Sequence, residues 1–127
     1  MTEVDLSDEM LEFLGERHLA TLTTLRADGS PHVVPVGFSY DADRDLVRVI
    51  TFARSAKARN AARGGRAAVS QVDGARWATL EGVVRLADDR ESVALAVAGY
   101  AKRYRQPGER ADRVAIEITV DKVMGRA

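Results

Sequence analysis

Three basic residues crowd the start of a predicted helix in the middle of the chain. Arg54, Lys57 and Arg59 surround Ser55, which follows a β-branched run and is a typical helix N-cap residue. The dipole and the free N–H groups of a helix N-terminus favour anions, so cations there have the wrong sign. A bound phosphate would reverse this mismatch. The segment therefore predicts a phosphate cradle, and a solvated, arginine-rich surface turn is the alternative.

The composition excludes several other chemistries. There is no Cys, and the 2 His residues, His18 and His32, do not lie in a metal-binding motif, so we expect no disulfide, no thiolate catalysis and no metal site. The 19 basic and 19 acidic residues give a formal net charge of zero, which argues against nucleic acid as a partner. Both histidines are interpreted as structural, and we predict no acid–base catalytic residue.

The length of the chain and its N-terminal sequence limit the number of domains and the location of the protein that we expect. A chain of 127 residues is long enough for one domain, predicted to span 1–127. The acidic N-terminus lacks the apolar region of a secretory signal. No apolar run approaches the roughly 20 residues that cross a bilayer. These features predict a cytoplasmic protein that does not use a membrane.

The periodicity predicts a mainly β fold with helices. Helices are expected after Ser7, after Ser55 and after Asp88 or Asp89, with a final apolar stripe that includes Tyr100 and Tyr104. Asp28-Gly29 and Asp73-Gly74 are hairpin signals. Six short antiparallel strands are predicted, in a closed or nearly closed barrel that removes exposed edges: 18–26, 32–40, 46–52, 66–72, 77–86 and 113–124.

Three segments carry a resemblance to a known family, and they read SPHVVPVGF, RVIT…SAKARNA and SQVDGARWATLEG. In this order the chain resembles the split β-barrel proteins related to pyridoxamine 5′-phosphate oxidase. Within them it looks most like the actinobacterial branch that uses the deazaflavin coenzyme F420, and within that branch like the F420-dependent biliverdin reductase group. The resemblance covers nearly the whole chain.

The resemblance implies a homodimer with two active sites at the subunit interface. The end of the third strand and the following helix start would hold the cofactor phosphate, strand residues near Pro35 would face the deazaflavin, and the partner subunit would contribute the region of Gln71 and Trp77. The implied cofactor-binding residues are Val34, Pro35, Val36, Arg48, Ile50, Thr51, Ser55, Lys57, Asn60, Gln71 and Trp77.

The implied reaction is a hydride transfer from reduced F420 to a conjugated planar substrate, biliverdin above all, which would yield bilirubin. Such a transfer depends on positioning more than on an acid or a base. Biliverdin is a planar tetrapyrrole with two propionates, and the arginine surplus of the chain offers cations for them. The predicted substrate-binding residues are Arg76, Arg103 and Arg105.

Three other functions stay open from the sequence. One is an FMN-dependent enzyme of the oxidase type; the oxidases of the superfamily usually carry a lysine just after the strand motif, where this chain has Thr51-Phe52, which favours the deazaflavin. Another is a non-catalytic domain that binds a flavin or a haem-like ligand. The last is a structural dimer with an empty cradle.

Overall fold

The computed structural model describes residues 4–127. Three helices and seven strands follow one another along this part of the chain. In chain order they are α1 (Asp8–Gly15), β1 (Ala20–Leu25), β2 (Pro31–Val36), β3 (Ser39–Asp41), β4 (Leu46–Phe52), α2 (Ala56–Ala62), β5 (Arg66–Asp73), β6 (Arg76–Ala87), α3 (Arg90–Arg103) and β7 (Arg113–Arg126).

Each helix begins at the residue type that the sequence indicated. The side-chain oxygens of Ser7, Ser55 and Asp89 each accept a hydrogen bond from a backbone N–H in the first turn of the helix that follows. These bonds satisfy donors that the helix itself leaves free. The predicted N-caps are therefore confirmed.

One antiparallel sheet joins all the strands of the described residues, in the order β2-β1-β5-β6-β7-β4-β3. Its two edge strands, β2 and β3, are consecutive in the chain but do not form hydrogen bonds with each other. The sheet curls into a barrel that stays open along this seam. The mainly β fold is as predicted, whereas the predicted count of six strands is wrong.

The additional strand arises because the predicted strand 32–40 breaks after Val36. Phe38 is bonded to a helix instead of a strand: its N–H donates to the Tyr104 hydroxyl (3.3 Å), and its carbonyl accepts from Arg103 Nη1 (2.8 Å). β2 then pairs with β1, while β3 pairs with β4 at the opposite edge. The two residues of the break, 37 and 38, carry the chain across the seam.

The apolar residues form two separate clusters. The main core fills the barrel and combines inward residues of six of the strands with Met10, Phe13 and Leu14 of α1. A smaller cluster lies on the outer face of the sheet, where Ala96 of α3 packs with Ala87, Ala115 and Ile50. Helix α3 therefore covers the outside of the β7–β4 side. No helix in residues 4–127 is long and apolar enough to cross a membrane, and the cytoplasmic location stays a prediction.

A buried guanidinium ties α3 to the rest of the fold. Arg103 is 8% exposed, and its three nitrogens donate to the Glu16 carbonyl (2.7 Å), the Phe38 carbonyl (2.8 Å) and Gln71 Oε1 (2.6 Å). Tyr104 adds a hydrogen bond from its hydroxyl to the carbonyl of His18. We call Arg103 and Tyr104 the α3 clasp, because they join the end of α3 to three other segments.

Replacing the buried guanidinium should destabilise the whole domain. Arg103→Ala leaves three buried acceptors without their donor, which we expect to lower the free energy of unfolding by about 3 kcal/mol or more. Urea unfolding measures this change. The neighbouring Lys102→Ala, which removes an exposed cation from the same helix turn, should change it by less than about 0.5 kcal/mol. Equal effects of the two variants would contradict the structural role of Arg103.

Candidate active site

A cleft of about 390 Å³ lies at one end of the seam. Such a volume lies within the usual range for a small-molecule site. Four parts of the fold meet there: the end of β2, the end of β4, the first turn of α2, and the loop between α3 and β7. Its lining residues are Pro35, Val36, Gly37, Ile50, Thr51, Phe52, Lys57, Tyr100, Arg105, Gln106, Pro107, Gly108, Arg110 and Arg113.

The wall of the cleft on the β2 side includes a glycine against which two aromatic rings pack. A Cβ at Gly37 would come within 2.9 Å of the Tyr104 ring and 3.0 Å of the Tyr100 ring. Those two rings lie 4.9 Å apart, and the α3 clasp holds Tyr104 in place. Gly37 therefore lets α3 approach the seam, and this approach brings Tyr100 into the cleft wall.

The cradle segment has a different structure from the one its charges suggested. Helix α2 has only 7 residues, and the Ser55 hydroxyl accepts from the Ala58 N–H (3.1 Å) and from Thr51 Oγ1 (2.9 Å). Arg59 turns back to the Arg54 carbonyl. Lys57 alone of the three crowding cations lines the cleft. The anion-binding capacity of this segment therefore rests on the lysine more than on the helix N-terminus.

Three cations that line the cleft make no side-chain hydrogen bond or ion pair with the part of the chain that the structure describes. Lys57 was predicted to bind the cofactor and Arg105 to bind substrate, whereas Arg113 was not predicted as a site residue. Arg110, also missed, is held by Asp112 and lies 4.3 Å from the centre of the Phe52 ring. The arginine-rich segment after the Pro107-Gly108 stop was the sequence signal for both missed residues. The three unpaired cations are Lys57, Arg105 and Arg113.

Six of the residues predicted from the resemblance line this one cleft. The structure brings together Pro35, Val36, Ile50, Thr51, Lys57 and Arg105, and Ser55 lies directly behind Thr51 through their hydrogen bond. Their roles toward a ligand stay predictions. The shared location is what the sequence could not show, since the six residues come from four elements.

Four other predicted cofactor-binding residues lie outside the lining. Val34 packs against the main core, and Gln71 is enclosed in the barrel, where it donates to the Phe13 carbonyl and accepts from Arg103. Asn60 is buried and donates to Thr24. Trp77 is 38% exposed on the outside of β6. Within one protomer, none of the four lines the cleft, and their roles stay predictions.

Arg48 is also absent from the lining, although it lies on the same face of β4 as Ile50, which does line the cleft. It is 7% exposed, and its Nη1 donates to Asp41 at 3.0 Å, while Nε and Nη2 have no partner among the described residues. Burial alone would raise the pKa of Asp41, but Arg48 outweighs burial and holds that pKa below its ordinary value. Arg48 therefore fixes the β3–β4 hairpin.

Two of the predicted substrate arginines have their donors engaged elsewhere. Arg103 belongs to the α3 clasp. Arg76 forms a two-bond ion pair with Glu16 (2.9 and 2.8 Å) and a further bond to Asp73 (2.6 Å). Arg76, with His18, lowers the pKa of Glu16 to about 2. This leaves Arg105 as the predicted substrate cation that faces the cleft.

Comparison with known proteins decides the family. The protein-family model described as pyridoxamine 5′-phosphate oxidase matches residues 6–126. The chain belongs to the pyridoxamine 5′-phosphate oxidase family. In this family member, the cleft at the seam is therefore the candidate active site.

One curated relative matches almost the whole chain at high identity. The F420H2-dependent biliverdin reductase of Mycobacterium tuberculosis (strain CDC 1551 / Oshkosh) is 53% identical over 126 residues, which are 99% of this chain and 92% of that protein. A solved structure described as an F420 reductase matches with a TM-score of 0.74 at 25% identity, over 95% of this chain and 98% of that one. A conserved hypothetical protein from M. tuberculosis, at 22% identity, matches with a TM-score of 0.80 over 99% and 88%, which shows the fold.

A methyl group at position 37 should disturb the seam of this family member. Gly37→Ala pushes against two packed rings, and we expect it to lower the free energy of unfolding by about 1–3 kcal/mol, the usual cost of overpacking. Gly15→Ala is the control, since its Cβ meets nothing within 4 Å. In a Tyr104→Leu background the destabilisation caused by Gly37→Ala should shrink, because the nearer of the two rings is gone. An undiminished penalty there would show that the ring contact is not its cause.

Proposed function

We propose that this protein is an F420-dependent reductase that transfers a hydride to biliverdin and yields bilirubin. One observation carries the proposal: a partly apolar cleft with three unpaired cations lies in a chain that is 53% identical to a protein named F420H2-dependent biliverdin reductase. The deazaflavin is favoured over FMN because that relative and the F420 reductase structure both carry F420 in their names.

The residues of the cleft fit such a cofactor. The segment from Pro35 to Gly37 and the side chain of Ile50 contribute apolar surface to the cleft lining, against which we infer that the deazaflavin ring packs. Lys57 is half-buried and has no partner within residues 4–127, so it is free to pair with a phosphate. Arg113 and Arg105 offer further cations along the same cleft for carboxylates. Walls and charges thus match a planar ring with an anionic tail.

The protein's contribution to the reaction is positioning. Reduced F420 supplies the hydride when it is bound. The chain provides a rigid wall at the seam, where the α3 clasp and Gly37 hold the Tyr100 ring against the space left for the ligand. Among residues 4–127, no histidine and no carboxylate lines the cleft, so we infer no acid–base residue from this part of one protomer and assign the proton at the pyrrole nitrogen to solvent.

We further propose that two chains associate through the outer face of β2, β1, β5 and β6. Cross-strand pairs place Val33 opposite Thr23 and Val72 opposite Trp77, and Val33 and Val72 are 55% and 69% exposed. Pro35 lies on the same face and also lines the cleft. A second copy seated on this face would therefore border the cleft, and Trp77 is the predicted residue best placed to contact a ligand across the interface.

Turnover tests the function directly. Anaerobic mixing of the protein with reduced F420 and biliverdin should bleach the biliverdin absorption band and oxidise the cofactor, whereas reduced FMN in the same assay should not support turnover. No reaction with F420 would remove biliverdin as the substrate. Turnover with FMN alone would select the oxidase-type alternative.

Cofactor affinity tests the cleft. Lys57→Ala removes the charged partner that we assign to the phosphate, so F420 should bind with a Kd about 10–150-fold higher, equivalent to about 1.5–3 kcal/mol. Fluorescence titration of F420 measures the Kd. Lys102→Ala, which removes an exposed lysine outside the cleft, is the matched control. An unchanged Kd in Lys57→Ala would reject the phosphate assignment.

The dimer has its own test. The native protein should sediment with the mass of two 13.8 kDa chains, and Val72→Glu should sediment as a monomer, because it places a charge on the apolar face beside Trp77. Leu95→Glu makes the same kind of change on α3, at a position that is 36% exposed, and should stay dimeric. A monomeric native protein, or dissociation only in the α3 variant, would contradict the proposed interface.

A further inference from the structure

A second cavity, of about 440 Å³, continues the candidate active site on the far side of the tyrosine pair. It is lined by Arg17, Leu19, Tyr100, Tyr104 and Arg105. Tyr100 and Arg105 also line the first cleft, so the two spaces share a wall.

Two guanidinium groups flank this second space. Neither the side chain of Arg17 nor that of Arg105 makes a hydrogen bond or an ion pair with residues 4–127. By contrast, carboxylates pair with five other arginines of the described residues: Arg48, Arg66, Arg76, Arg85 and Arg110. The cavity therefore holds two unneutralised cations beside an aromatic wall.

The backbone that carries both cations is fixed. The carbonyls of Glu16 and His18, on either side of Arg17, accept from Arg103 Nε and from the Tyr104 hydroxyl. Arg105 directly follows the α3 clasp in sequence. Both side chains are exposed, so these bonds fix the backbone on either side of Arg17 and leave the two guanidinium groups free to adjust to a ligand.

We propose that Arg17 and Arg105 form a carboxylate-binding subsite next to the candidate active site, a role in which Arg17 is a specificity-determining residue. The inference rests on the proposed function. Guanidinium pairs carboxylates through two parallel N–H···O bonds, and the tilted rings of Tyr100 and Tyr104, 4.9 Å apart, form an apolar surface for the group that bears the carboxylate. The carboxylate can come from a propionate of the tetrapyrrole or from the glutamyl tail of the cofactor.

Four variants test the subsite: Arg17→Ala, Arg105→Ala, Arg17→Lys, and Arg44→Ala as the control. Arg44 is exposed in the turn between β3 and β4 and lies outside both cavities. Each alanine change should raise the Kd of the carboxylate ligand about fivefold, the scale of an exposed ion pair of about 1 kcal/mol. Arg17→Lys should recover part of the loss.

Two binding titrations, independent of turnover, identify the source of the carboxylate. For a substrate propionate, the alanine variants bind biliverdin about fivefold more weakly, bind biliverdin dimethyl ester as the native protein does, and keep their F420 affinity. For the cofactor tail, the Kd of F420 rises about fivefold, and that of the phospholactyl form without glutamates does not. Either result supports the subsite. Unchanged affinities for both carboxylate ligands would overturn it.

The proposed function can fail separately. If the native protein binds biliverdin but reduced F420 does not bleach it, the reductase assignment is wrong, while the titrations still report on the subsite. In an active native enzyme, a propionate subsite predicts a KM for biliverdin about fivefold higher in Arg17→Ala, with kcat unchanged, because the contact does not involve the reacting carbon. A fall in kcat with unchanged KM and unchanged Kd would overturn the assignment of Arg17.

Discussion

The architecture depends on one buried guanidinium. Burial lowers the pKa of Arg103, which shows that the charge is costly to enclose, and three hydrogen bonds offset that cost. Their acceptors lie in the α1–β1 link, the β2–β3 link and β5. Because the edge strands of the sheet do not pair, no backbone ladder closes the barrel. The side chain of Arg103 takes over part of that task by tying α3 across the seam.

This way of closing the barrel also creates the candidate active site. A continuous ladder between β2 and β3 would occupy the space where the chain now turns at Gly37. Since α3 is held there through Arg103 and Tyr104 instead, the Tyr100 ring and the loop after α3 stand beside the end of β4. The cleft and the cavity that adjoins it therefore border the same clasp, and a ligand in either one lies against residues whose positions the clasp determines. A fold held in this way suits a reaction that requires positioning of two planar partners.

Local signals in the sequence predicted the elements, whereas contacts between distant residues decided the site. The limits of β4 and the caps at Ser7 and Ser55 follow from residues within a few positions, and they were predictable. The break at residues 37 and 38 depends on side chains more than sixty positions later and was not. Arg103 shows the difference well: it falls seven residues after Ala96 and so lies on the inner face of α3, but its charge led to its prediction as a substrate-binding cation. The family resemblance supplied five of the 14 cleft residues, which periodicity alone did not identify: Pro35, Val36, Ile50, Thr51 and Lys57.

A net charge of zero conceals a strongly uneven distribution of charge. Carboxylates neutralise arginines in pairs along the sheet, such as Arg85 with Glu117 and Arg66 with Asp121. Four cations that line the two cavities have no carboxylate partner within the part of the chain that the structure describes: Arg17, Lys57, Arg105 and Arg113. An anionic ligand therefore meets a local positive potential without a generally basic surface, and this arrangement favours small anions over nucleic acids, whose binding needs an extended basic face. The cations at the start of α2 are one part of this pattern. Ser55 already caps this short helix, and Lys57 is the one cation of the three that lines the cleft. The lysine is therefore the group to which we assign the phosphate.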